Sequence, residues 1–90
     1  MAVAATIVYE NTPISVYDEA VPKLFPKGVH DGAGNISHWC EQTETGWTVH
    51  DVWESEEALQ TFLMDRIAPL GIPEPTRVEM TAVHNALRSA

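Results

Sequence analysis

Two runs rich in aromatic and β-branched residues, 35–42 and 47–53, flank Thr43-Glu44-Thr45-Gly46. Runs of this kind on either side of a short glycine-ended turn fold as an antiparallel hairpin. A hairpin in the middle of the chain obliges the segments before and after it to supply whatever covers its apolar residues. The same hairpin holds every tryptophan of the chain, its single cysteine, His38, His50 and Asp51.

The flanking segments have matching designs. Residues 3–9 set Ala5, Ile7 and Tyr9 against Ala4, Thr6 and Val8, the alternation of a strand covered on both faces. Thr12-Pro13 offers an N-cap and a first-turn proline. Val16, Tyr17, Ala20, Val21 and Leu24 then recur at helical spacing, and Pro22 should kink or end that helix before a loop over 26–34. Beyond the hairpin, Ser55 is a good N-cap, and Glu56 and Glu57 sit where the helix dipole favours negative charge. Ala58, Leu59, Phe62, Leu63 and Ile67 form one apolar stripe. Pro69, Gly71, Pro73 and Pro75 break the chain before a last strand over 77–83, which alternates Val78, Met80 and Ala82 with Arg77, Glu79 and Thr81.

The order β-α-β-β-α-β is that of the ferredoxin-like α+β fold, a four-stranded antiparallel sheet with two helices on one face. Residues 1–90 are expected to form a single domain. A chain of this length buries only about 60–65% of the surface its unfolded form exposes, so its core is thin. Neither face of the hairpin is cleanly polar, because Ile36, Cys40 and Val52 compete with Trp39, Trp47, Val49 and Trp53 for burial. A homodimer packing sheet against sheet is the simplest way to cover both faces.

A net charge of −8 repels phosphate backbones and anionic membranes, so neither nucleic acid nor membrane is an expected partner. Residues 1–9 lack a positive leading region and run directly into Glu10 and Asn11, which reads as a first strand of a cytoplasmic protein rather than a targeting signal. A lone cysteine cannot make an intramolecular disulfide and agrees with a reducing compartment.

The register of the hairpin decides which side chains meet. A two- or four-residue loop places His38 opposite Asp51 on one face, as a histidine–carboxylate dyad. Glycine at the end of the turn favours instead a three-residue loop with Gly46 left-handed in a bulge. That register puts Trp39, Trp47, Val49, Asp51 and Trp53 on one face and Ile36, His38, Cys40, His50 and Val52 on the other, and it is the expected one. Asp51 is then the acid of a tryptophan-lined face, where a carboxylate has a raised pKa unless it finds a donor, a property suited to proton transfer. His38, Cys40 and His50 would lie close enough for a zinc or copper set, but their spacing matches no metal motif. They read as structural groups, and no metal is expected. His84-Asn85 could close one mouth of a pocket, with His84 a proton donor and Asn85 an orienting amide. His30 sits in a Gly-rich loop with nothing to fix its geometry. Ser15 and Ser55 are explained as helix-start residues, and no nucleophile elbow, phosphate loop or dinucleotide fingerprint is present.

The stretch Val49-His50-Asp51-Val52-Trp53-Glu54-Ser55-Glu56-Glu57-Ala58 resembles the strand-to-helix junction of the antibiotic-biosynthesis-monooxygenase-like proteins of the dimeric α/β-barrel superfamily. Nearer still is a group of small uncharacterised relatives with a histidine before a Gly-Trp turn, then Asp-Val-Trp-Glu-Ser, and a closing His-Asn. Here these are His38, Gly46-Trp47, Asp51 to Ser55, and His84-Asn85. The resemblance implies a dimeric α/β barrel that needs no cofactor. In the family's monooxygenases the tryptophan matched by Trp53 lies in the substrate cavity with an asparagine four residues before it, and this chain has Val49 there.

Together these readings predict a small cofactor-independent enzyme acting on a hydrophobic, aromatic or polyketide-like molecule, in one version an oxygenase. Asp51, His38 and His84 are the proton-moving candidates, and Trp39, Trp47, Trp53, Val49 and Asn85 the substrate-contacting ones. A non-oxidative cyclase or lyase on a similar substrate, or a non-catalytic module binding a small ligand or partner, fits the same fold.

Overall fold

The computed structural model describes residues 1–26 and 34–84. Strand β1 (Val3–Glu10) leads into helix α1 (Ile14–Leu24). The hairpin strands β2 (Asn35–Gln42) and β3 (Gly46–Trp53) follow, then helix α2 (Glu56–Phe62) and strand β4 (Arg77–Ala82). The strands form one sheet in the order β2-β3-β1-β4, with every pairing antiparallel. Two helices cover one face of a four-stranded antiparallel sheet, which is the ferredoxin-like α+β architecture.

The covered face is built from alternate residues of the central strands. Ala5, Ile7 and Tyr9 of β1 and Trp47, Val49 and Trp53 of β3 are buried, and Leu59 and Phe62 of α2 with Ala20 and Leu24 of α1 close over them. Trp53 is fully enclosed at 0% exposure, its ring 4.8 Å from Phe62. The Ser55 hydroxyl accepts from the Ala58 N–H at 3.1 Å, the N-cap its position implies.

The start of α1 differs from expectation. The Thr12 hydroxyl donates back to the Glu10 carbonyl, and Pro13 occupies the cap position without a side-chain bond. Pro22 does not end the helix, which continues to Leu24 and closes with the Phe25 N–H on the Val21 carbonyl at 2.8 Å. A proline so near a helix end forfeits a single hydrogen bond, and the helix runs on for two more residues. After Phe62 the chain widens into a π-helical turn, Leu63–Ile67, and then tightens into a 3₁₀ turn over Ala68–Leu70. This turn brings Arg66 over the Phe62 ring and within 2.8 Å of the Leu24 carbonyl, so one side chain ties the ends of both helices together.

The register of β2 and β3 is not the expected one. Gln42 pairs with Trp47, Cys40 with Val49, Trp39 with His50 and His38 with Asp51. The loop is closed by the Thr43 N–H on the Gly46 carbonyl at 2.8 Å and by the Gly46 N–H on the Thr43 hydroxyl at 3.0 Å. Gly46 has no positive φ and sits in no bulge. It is required for another reason: it pairs with Glu10 of β1, and a Cβ there would lie 2.0 Å from the Tyr9 carbonyl oxygen. The bulge of this hairpin falls at its far end, where Asn35 pairs with Trp53 and Ser37 with Val52.

The consequence is a re-sorting of faces. His38 and Cys40 join Trp47, Val49, Asp51 and Trp53 beneath the helices, while Trp39, His50 and Val52 occupy the opposite face. Trp39 is 54% exposed there and stacks on His50 at 4.0 Å, and His50 in turn bonds Glu41 at 2.9 Å.

Candidate functional site

Position 51 is the inward-facing residue of β3 between Val49 and Trp53, and an acid there must find a donor or pay the full penalty of burial. The donor is its cross-strand partner. Asp51 Oδ1 lies 2.5 Å from His38 Nδ1, with the aspartate side chain 6% and the histidine 11% exposed. A carboxylate only accepts, so Nδ1 carries the imidazole proton and Nε2 is left as an acceptor.

Nε2 is already occupied. The Tyr17 hydroxyl stands 2.6 Å from it, with the two rings nearly parallel at 11°. Tyr17 is held there by the start of α1. Trp47 donates its indole N–H to the Pro13 carbonyl at 3.1 Å, stacks on Tyr9 at 4.0 Å, and meets the Tyr17 ring at 5.3 Å. Phe25, just past the end of α1, packs against His38 with ring centroids 4.9 Å apart. Burial above all, with the negative charges that Cys40, Asp51 and Asp18 carry in alkali added, pushes the Tyr17 hydroxyl up to about 12. It therefore keeps its proton at neutral pH, and with Nδ1 turned to Asp51 it is the imidazole's Nε2 that accepts it. Burial likewise raises the pKa of the Cys40 thiol on the same face, which keeps it protonated at neutral pH.

The chain Tyr17–His38–Asp51 opens on a cavity of about 500 Å³ between the sheet and the helices. Its remaining wall is mostly apolar, formed by Ile7, Leu24, Phe25, Phe62, Val78 and Met80 among others. Glu74 is the other charged residue on its rim, and among the described residues no lysine or arginine lines it. Val78 and Met80 of β4 face the helix side but remain 46% and 43% exposed, because the helices stop short of that edge and leave the cavity its mouth.

Of the expected site residues, Asp51, His38, Trp47 and Val49 line this cavity. Three others do not. Trp53 is enclosed in the core behind Phe62, Trp39 points away on the opposite face of the sheet, and His84 is exposed past the end of β4. Asn85 and His30 lie outside the described residues. The set His38, Cys40 and His50 is divided between the two faces of the sheet, and among the described residues no three such side chains converge. Tyr17 was not foreseen as a site residue. Its position in the apolar stripe of α1 conceals its role, which becomes visible only once His38 is placed beneath the helices.

No family model matches the chain, and no curated protein matches it. Solved structures do. The chain is similar to protein YJCS, from structural genomics, at a TM-score of 0.60 and 14% identity over 92% of this chain and 96% of that one. It is similar at a TM-score of 0.56 and 13% identity to a variant of SnoaB, a cofactor-independent oxygenase from Streptomyces nogalater, over 98% of this chain and 96% of that one. The fold is thus shared along nearly the whole length, at identities that carry the architecture alone.

Proposed function

We propose that the chain is a small enzyme of the antibiotic-biosynthesis-monooxygenase-like group that deprotonates a hydrophobic phenol or enol. The observation that carries this reading is the buried His38–Asp51 pair at 2.5 Å, the polar end of an otherwise apolar cavity. An imidazole oriented by a carboxylate is a general base at neutral pH, and a base of this kind contributes about 10²–10⁴-fold to a rate. About 500 Å³ accommodates a molecule of two or three fused rings, and a wall with no lysine or arginine among the described residues favours a neutral substrate. Trp47, Val49 and Phe25 would orient it.

SnoaB's description as a cofactor-independent oxygenase supports an oxidative outcome, in which the substrate carbanion reacts with oxygen directly. A non-oxidative cyclase or lyase is the second reading. Val49 favours it, because the cavity wall is apolar at the position where the oxygenases carry an asparagine. Oxygen uptake with a panel of polycyclic phenols separates the two. Either reading requires Asp51→Asn to abolish turnover while ligand binding persists, and full activity in both Asp51→Asn and His38→Ala would refute both.

A homodimer through the uncovered face of the sheet belongs to the same reading. Trp39 is half exposed there beside Val52, Val8 and Ala4, an apolar surface that a second copy would remove from water.

A further inference from the structure

We propose that Tyr17, rather than His38, is the group that touches the substrate, and that it passes the substrate's proton to His38. This rests on the acid–base reading above and goes beyond it in naming the contact atom. The only acceptor on His38 is Nε2, because Nδ1 is engaged with Asp51 at 2.5 Å. Nε2 is in turn filled by the Tyr17 hydroxyl at 2.6 Å. A ligand in the cavity therefore meets the free lone pair of the Tyr17 oxygen before it can meet Nε2.

Displacing Tyr17 would need its ring to move, and the ring is boxed in. It stacks on His38 and packs on Trp47, whose indole is pinned to the carbonyl of Pro13, the residue that precedes the first turn of α1. The proton movement that requires no displacement is concerted. The substrate O–H bond breaks as its proton joins the Tyr17 oxygen, while the original Tyr17 proton moves to His38 Nε2. The products are a substrate anion, an unchanged neutral tyrosine and an imidazolium whose charge Asp51 balances. No electrons change hands, and the tyrosine never has to ionise, in keeping with its buried hydroxyl.

The test uses the full chain with 4-nitrophenol, whose anion is coloured, at a pH below its solution pKa, and reads the protonation of both ring nitrogens of His38 by ¹⁵N NMR. Wild type should bind the probe as its anion while His38 becomes imidazolium. Tyr17→Phe, which keeps the ring and its packing, should bind the probe as the neutral phenol with His38 still neutral, and phenolate formation should fall at least tenfold. Anion and imidazolium forming equally in Tyr17→Phe would overturn the relay while leaving His38 as a direct base. Neutral probe in wild type would overturn the acid–base reading itself, and the relay with it. Should Tyr17→Phe not fold, Tyr17→His offers a second side chain able to accept and donate, and its failure to restore any phenolate would count against the relay.

Discussion

His38 and Asp51 face one another across β2 and β3 with 2.5 Å between Nδ1 and Oδ1, beneath two helices and almost out of contact with water. Hydrogen bonds to a charged group contribute about 1.5–3 kcal/mol, and a partner left alone in such a place pays the cost of its own desolvation. Asp51→Asn and His38→Gln should therefore each destabilise the fold, and the double variant should lose less than the sum. A double-mutant cycle in urea is expected to return a coupling of about 1–3 kcal/mol. Strict additivity would mean that the two groups do not interact in solution.

Tyr17 predicts a particular response to alkali. Its folded pKa lies near 12 against an ordinary 10.0, so the folded state holds the proton more tightly than the unfolded chain. The stabilisation is complete below pH 10 and is lost as pH rises through 12; stability falls where the unfolded state has released a proton that the folded state still binds. Tyr9 and Cys40 are shifted in the same direction by burial and act with the same sign. Denaturation midpoints should thus fall steadily above pH 9 to 10, and Tyr17→Phe should make that decline shallower. A midpoint that holds or rises up to pH 12 would contradict the burial of these groups.

Gly46 is constrained by β1 and not by the turn. A methyl group there would meet the Tyr9 carbonyl at 2.0 Å, and backbone cannot yield as a side chain can. Gly46→Ala should cost about 3 kcal/mol or more, the upper end for overpacking, measured by chemical denaturation. No loss, or a gain of up to about 1 kcal/mol as at an unstrained glycine, would show that the strands are not so close.

The tryptophans at positions 39 and 53 should separate cleanly. Trp53→Ala removes an enclosed ring and should cost about 3–5 kcal/mol, enough to unfold much of a small domain. Trp39→Ala removes a half-exposed ring stacked on His50 and should cost about 1 kcal/mol or less within one chain. Trp39→Glu should convert the proposed homodimer to monomer in light scattering. A monomeric wild type at micromolar concentration would remove the dimer from the account.

The architecture was legible because its signals are local: alternation in β1, the Ser55 cap with its acidic first turn, the apolar stripe of α2, and a glycine-ended turn between two strand-like runs. The site was less so, and the reason is the same glycine. Turn chemistry explains Gly46 as a left-handed residue, and that explanation moves the pairing by one and sends His38 to the wrong face. The true reason is a contact with Tyr9, far away in sequence and reachable only after β1 and β3 are known to be neighbours. Trp39 and His38 exchange faces with that single step, since side chains alternate along a strand. Tyr17 was hidden differently. It satisfies the helical stripe perfectly well as a hydrophobe, and its hydroxyl finds a partner only on another element.

The chemistry proposed for the cavity is removal of a proton from a hydrophobic phenol through His38 and Asp51. Visible absorbance of 4-nitrophenol bound at a pH below its solution pKa tests this directly. Wild type should show the anion's band, and Asp51→Asn should lose it at unchanged binding. Neutral phenol bound by wild type, or an equal anion band in Asp51→Asn, would contradict it.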